Sequence, residues 1–180
     1  MIEQLVRPVA DADIRDLATL LLDAIDSGAS VSFLDDLNLD RAQRWWQQTI
    51  ATADERSIFL VARDSKGIVG TVQLHAAWSP NQRHRGEVAK LLVHRRARRK
   101  GVGTDLMEAI EERARASGFS LLTLDTKRGD AAERLYANAG WTRVGVIPNY
   151  ALNPDRTFCD TVIFYKDLLT AGGSRALSPA

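Results

Sequence analysis

The densest chemical signal in this 180-residue chain is the run His94-Arg-Arg-Ala-Arg-Arg-Lys-Gly-Val-Gly-Thr104. Basic side chains at Arg95, Arg96, Arg98, Arg99 and Lys100 lead into Gly101 and Gly103. Between a strand and a helix, such a turn presents a row of backbone N–H groups. The helix N-terminus adds about half a positive charge, and glycines let a bulky anion approach the backbone. The combination is a phosphate cradle. It is not a P-loop, because no Gly-Lys-Ser/Thr follows at the required spacing. It is not the dinucleotide fingerprint, because the third glycine is missing and no βαβ unit opens there at the chain start. A solvated basic turn ending in a glycine-rich cap would use the same residues.

Other reactive side chains are sparse. His75, His84 and His94 stand in no metal-ligand spacing on a helix, so no metal is expected. The single cysteine, Cys159, excludes an internal disulfide, and no histidine is placed by sequence to activate it. Lys plus Arg total 24 against 23 for Asp plus Glu, a net charge of +1 that argues against a dedicated nucleic-acid binder. The N-terminus lacks a basic region followed by a long apolar run, and no apolar stretch is long enough to span a bilayer. A cytoplasmic protein without membrane contact is expected.

Positioning these residues falls to alternating helical and strand patterns. Residues 2–9 read as a short strand. Asp11 or Asp13 caps a helix carrying Ile14, Leu17, Leu21 and Ile25, stopped at Gly28. Residues 28–38 form a loop. Asp40 caps a second helix to about Ala53, with Ala42, Trp45, Trp46, Thr49 and Ile50 on its inner side. Residues 57–63 and 68–78 pair as a hairpin across Asp64-Ser65-Lys66-Gly67. Residues 86–94 make a third strand, and 102–117 an amphipathic helix. The apolar run 120–125 reads as a strand buried on both faces. Residues 130–139 form a short helix, and 141–147 and 157–165 two closing strands around a proline-containing loop. The order implies an α/β (α+β) fold over residues 1–168 as one domain, with a flexible tail at 169–180.

Two ordered motifs then carry a family resemblance. Leu91-x-Val93-x-x-x-x-Arg98-x-x-Gly101-Val102-Gly103 resembles motif A of the GNAT (Gcn5-related) N-acetyltransferases. Ala132-Glu-Arg-Leu-Tyr136-Ala-Asn-Ala-Gly140-Trp141 resembles their motif B, separated from motif A by a helix and a strand, as in that family. The pattern departs from the family at Arg95, where proline is common, at Arg99, where glycine is common, and at Gly129, where asparagine is common. Further stretches, including Glu87-Val-x-Lys-Leu91 and Leu124-Asp-Thr126, resemble the tabtoxin-resistance branch, which acetylates a toxin amino acid.

The resemblance implies a GNAT fold: a central mixed, mostly antiparallel sheet of about seven strands flanked by about four helices. It implies acetyl-CoA as co-substrate between strands 86–94 and 120–125. Leu91, Leu92, Val93, Arg98, Arg99, Lys100, Gly101, Val102, Gly103, Thr104 and Tyr136 would contact it. A backbone N–H near Leu91–Val93 would stabilise the oxyanion, and Tyr136 would protonate the leaving thiolate. Glu87 and Asp125, at strand ends expected to be adjacent, are the candidate bases. A partly dry cleft would raise their pKa values. They could instead pair with Lys90 or Lys127. His75 and His84 are alternative bases, and His94 would cap the phosphate turn. Arg134 would reach the nucleotide or stay in solvent. Phe33 and Asp36, with Asp35, border the acceptor pocket and could attract a cationic amine, or simply form turns and caps. The implied reaction transfers acetyl to a primary amine of a small molecule, such as an amino-acid-like toxin or antibiotic, in a monomer or homodimer. Two other readings remain at this point: a GNAT-fold CoA-binding module without turnover, and a polyanion site using residues 95–100.

Overall fold

The computed structural model describes residues 1–169, so the expected tail lies, beyond Leu169, outside the described residues. Its strands are β1 (Ile2–Gln4), β2 (Ile58–Asp64), β3 (Gly67–Ala76), β4 (Arg85–Val93), β5 (Leu121–Lys127), β6 (Thr142–Leu152) and β7 (Phe158–Asp167). Its α-helices are α1 (Asp11–Asp26), α2 (Leu39–Thr52), α3 (Val102–Ala116) and α4 (Ala131–Asn138). The strands form one sheet in the order β1-β2-β3-β4-β5-β7-β6, antiparallel except for the β4–β5 pair. The expected mixed sheet of about seven strands with about four helices is the observed one.

Two apolar layers sandwich the sheet. On one face Leu17 and Leu21 of α1 and Trp46 of α2 bury Phe59, Val61 and Leu92. On the other, Leu106 and Ile110 of α3 and Tyr136 of α4 cover Leu60, Val72, Leu74, Leu122 and Phe164. Fully burying each aliphatic side chain contributes about 1.5–3 kcal/mol, so these two layers fix where every loop above the sheet emerges.

Several local expectations are corrected. β1 pairs only as far as Gln4, and Pro8, without an N–H, falls in the stretch expected to continue it. Neither Asp11 nor Asp13 caps α1. The N-cap is Ala10, and the Asp13 carboxylate takes both guanidinium nitrogens of Arg63 at 2.9 Å. The cap of α2 is Asn38, whose Oδ1 accepts the Arg41 N–H at 2.9 Å, not Asp40. The strand expected to end at Ile147 runs on to Leu152. An irregularity between Ile147 and Ala151 absorbs Pro148, and Asn149 takes a φ of +53° there while its N–H donates to Asp160 Oδ1 at 3.1 Å.

The correction that bears on function concerns β5. It is buried on one face only: Leu122 and Leu124 lie in the core, whereas Asp125 is exposed. The apolar layer of α1 and α2 packs over β2, β3 and the end of β4 and does not reach this strand. That side of β5 is therefore open beside β4.

Candidate active site

The basic turn is held from below by a residue that composition does not single out. Asp23, in the last turn of α1, is only 7% exposed. Its Oδ2 accepts the Arg95 N–H at 2.9 Å, and its carboxylate also meets the Arg95 guanidinium. Arg98 Nη2 lies 3.5 Å from it and 3.0 Å from Ser27 Oγ, while Arg98 Nε donates to the Val93 carbonyl at 3.0 Å. His94 accepts the Arg96 N–H through Nδ1 at 3.1 Å, capping the 3-10 turn Arg95–Ala97, and Arg96 pairs with Asp64 at 3.1 Å. Three of the five basic side chains are thus spent on the fold. Arg98 in particular ties the turn to α1 rather than pointing its guanidinium at an open site. Arg99 and Lys100 form no ion pair or hydrogen bond among the described residues.

The backbone past them suits an anion. Arg99 and Gly101 adopt φ of +60° and +84°, turning the chain sharply into α3. No side chain caps α3, and its first intrahelical bond is from the Asp105 N–H to the Gly101 carbonyl at 3.0 Å. The N–H groups of Val102, Gly103 and Thr104 consequently point out of the helix end without partners. Gly103 has a second reason to be glycine: a Cβ there would lie 3.1 Å from Leu135 Cδ1, so the small residue lets α4 lie against α3. Thr104, Arg134, Leu135 and Asn138 border a groove between these two helices.

From this turn the cleft follows the parting of β4 and β5. The two strands pair only over Arg85–Glu87 with Leu121–Thr123. Beyond Glu87, β4 has no partner on its β5 side. Opposite, β3 registers Leu92 with Thr71 and Ala89 with Gln73, so Lys90 and Leu91 share one place against Val72. Lys90 takes a φ of +50° in this bulge. From Lys90 to Val93 the edge of β4 away from β3 therefore has no strand beside it among the described residues. Leu91 and Val93 are half-buried against the core, and Leu92 is buried under α1 and α2.

Tyr136 stands on α4. Its ring is buried between Trp141 and Phe164, each 6.0 Å away by centroids. Burial, reinforced by the negative charge of Asp125, pushes the phenol well above its ordinary pKa. The hydroxyl makes no hydrogen bond among the described residues. The Tyr136 hydroxyl is therefore a protonated, unspent donor close enough to feel the charge of Asp125.

Glu87 and Asp125 are brought to this region, as expected from adjacent strands. Glu87 lies opposite His75 on β3 and opposite Thr123 on β5, and Asp125 Oδ2 accepts the Thr161 hydroxyl at 3.0 Å. Both are exposed, so the partly dry setting expected for them is not found. Neither forms an ion pair with Lys90 or Lys127, and Lys127 Nζ instead donates to the Gly28 carbonyl at 3.3 Å. His75 is half-buried, with Nε2 2.6 Å from Gln73 Oε1. Burial, and secondarily the charge of Lys90, holds its pKa below the ordinary value. His84 is exposed in the loop before β4, with its backbone carbonyl receiving the Ser120 N–H.

The loop between α1 and α2 carries Phe33, Asp35 and Asp36. Phe33 meets Trp45 edge-on at 5.1 Å. Asp36 is not available as a free acid: Arg41 and Arg156 approach it at 3.9 and 4.0 Å, and Arg156 also binds Asp35 at 2.8 Å. These pairs pin the loop to the β6–β7 turn. Cys159 is buried with its Sγ 3.6 Å from Ser30 Oγ. No helix among the described residues is long and apolar enough to cross a membrane.

The fold is shared with known proteins. The model of the acetyltransferase (GNAT) family matches residues 19–141. The chain is 28% identical over 145 residues to an L-methionine sulfoximine/L-methionine sulfone acetyltransferase of Pseudomonas paraeruginosa, covering 79% of this chain and 83% of that one. It is 36% identical over 114 residues to an IAA acetyltransferase of Azospirillum brasilense, covering 63% and 71%. Among solved structures, the Salmonella typhimurium protein yncA, determined with its cofactor acetyl-CoA, superposes with a TM-score of 0.75 at 17% identity, covering 100% and 97%.

Proposed function

Because the chain belongs to the acetyltransferase (GNAT) family, we propose that it is an acetyl-CoA-dependent N-acetyltransferase acting on a primary amine of a small molecule, an amino-acid-like toxin or antibiotic in particular. The observation that best supports this reading is the parting of β4 and β5 beyond Glu87, together with an uncapped N-terminus on α3 and a Tyr136 hydroxyl that makes no hydrogen bond among the described residues. Acetyl-CoA, when bound, supplies the acetyl group as an activated thioester. The Val102, Gly103 and Thr104 N–H groups would hold its pyrophosphate, with Arg99 and Lys100 adding charge. Of the basic run, Arg98 serves this site through the shape of the turn.

The chain's own residues then divide the work. Glu87 and Asp125 take the proton from the acceptor ammonium, directly or through water, so that a neutral amine attacks. A backbone N–H of β4 around Leu91–Val93 stabilises charge on the acetyl oxygen. Tyr136 gives its proton to the departing sulfur. Phe33 borders the acceptor. Asp36 shapes the loop through Arg41 and Arg156. The donor site and acceptor wall come from one chain. Val144, Ile147, Tyr150 and Phe158, exposed on β6 and the start of β7, favour a homodimer through that edge over a monomer. Work in the cytoplasm, where acetyl-CoA is made and used, follows from the same reading.

A panel of primary amines, incubated with acetyl-CoA and followed by thiol release, tests it. Enzyme-dependent CoA release with an amino-acid-like amine, and a matching acetylated product by mass spectrometry, is the expected result. No release above the blank with any amine, although acetyl-CoA binds, would leave a CoA-binding module.

A further inference from the structure

Lys90 is a cation in an unusual place. A non-glycine residue at φ +50° is disfavoured, and here the bulge of β4 imposes it. The side chain leaves the strand on the acceptor side. Its Nζ donates to Ser32 Oγ at 2.9 Å and lies 5.7 Å from the centroid of the Trp45 ring. Ser32 belongs to the α1–α2 loop, and Trp45 is the ring on which Phe33 sits edge-on. The ammonium is half-buried, yet no carboxylate among the described residues forms an ion pair with it. Burial lowers its pKa, while Asp125 and Glu87 act on it from further off in the opposite sense. One of its three donors is used by Ser32.

Half-burying a charge without a partner is costly, and such a cation is set up to receive an anion. The two carboxylates assigned to the acceptor ammonium, Asp125 and Glu87, stand near enough for their charge to act on Lys90 without an ion pair. A positive and two negative groups thus stand near one another without being paired, a pattern that a zwitterion fits in a single orientation. We infer that the acceptor carries a carboxylate beside its amine, as an α-amino acid does, and that Lys90 Nζ with Ser32 Oγ binds that carboxylate while Glu87 and Asp125 face the ammonium. Phe33 and Trp45 then meet the acceptor's side chain. The inference rests on the acetyltransferase reading and narrows it to one class of amine, with Lys90 as the residue that selects it.

The test uses matched probes on the intact protein: free L-amino acids, L-methionine sulfone among them, and the corresponding carboxamides, each with acetyl-CoA. Wild type is expected to favour the acids by about tenfold or more, since a neutral amide leaves the ammonium of Lys90 unpaired. Lys90→Met should lower kcat/KM for the acids by about 10- to 100-fold, mainly through KM, and change the amides far less. Lys90→Arg should restore part of the preference. An unchanged acetyl-CoA affinity in Lys90→Met shows that the variant is folded. A wild type indifferent to the carboxylate, or an equal loss on acid and amide in Lys90→Met, overturns the assignment and leaves the acetyltransferase reading standing. Absence of CoA release with every probe overturns that reading and this assignment with it.

Discussion

Tyr136→Phe lowers kcat by about 10²–10³-fold, about 3–4 kcal/mol of transition-state stabilisation, and leaves acetyl-CoA affinity as it was. The size follows from what the substitution removes. The Tyr136 hydroxyl holds no structural hydrogen bond, whereas its ring is packed against Trp141 and Phe164. Phenylalanine keeps the ring and its contacts, so the thermal midpoint should hardly move. Only the proton is lost. Because burial and the Asp125 charge raise the phenol pKa, that proton is present throughout the neutral and mildly alkaline range. Steady-state kinetics beside a calorimetric titration separates the two effects. A kcat unchanged in Tyr136→Phe would remove the phenol from the chemistry and reduce it to a core aromatic.

The second large effect is expected at Asp23. Removing one partner of a buried ion pair costs roughly 3–5 kcal/mol, and Asp23→Ala should fall at the lower end. The carboxylate is buried, but the Arg95 and Arg98 side chains it meets are 57% and 41% exposed, so water screens part of the loss. The variant also frees the turn that Asp23 holds by the Arg95 N–H. Denaturant unfolding should show the lost stability. Titration of the folded fraction should show acetyl-CoA binding weakened by about tenfold or more, because the N–H groups ahead of α3 are no longer pre-organised. Asp23→Asn retains an acceptor for the Arg95 N–H and should lie between. Wild-type stability and affinity in Asp23→Ala would mean that the turn holds its shape without α1.

Much of this was legible in the sequence because its causes are local. Period-2 and period-3.6 patterns found every strand and helix, with the end of the first strand and the end of β6 each five residues out. The glycine-rich turn advertised itself, and adjacency of strands 86–94 and 120–125 brought Glu87 near Asp125. What was hidden depends on distant partners. Arg98 reads as a phosphate ligand until Asp23, 75 residues away, is seen to claim it. Asp36 reads equally as a lure for an amine or as a turn residue until Arg41 and Arg156 are seen to approach it at 3.9 and 4.0 Å. Pro148 reads as a loop until the strand is seen to bulge around it. The apolar run of β5 suggests burial on both faces, since sequence does not tell that the helices opposite stop short of it. Lys90 gave no signal, for neither glycine nor asparagine marks its left-handed turn.

Catalysis of acetyl transfer requires that the N-terminal backbone of α3 carry acetyl-CoA. Calorimetric titration of acetyl-CoA into wild type and Gly101→Asp measures this. A Cβ at Gly101 meets nothing closer than the Asp105 carboxylate at 3.9 Å, so the fold has room for the new side chain. The φ of +84° makes aspartate there mildly strained, and its charge stands where the N–H groups should meet a pyrophosphate. Micromolar binding in wild type that disappears in Gly101→Asp, with both proteins folded by circular dichroism, is the predicted result. No heat of binding in wild type, or equal affinity in the two, would contradict it.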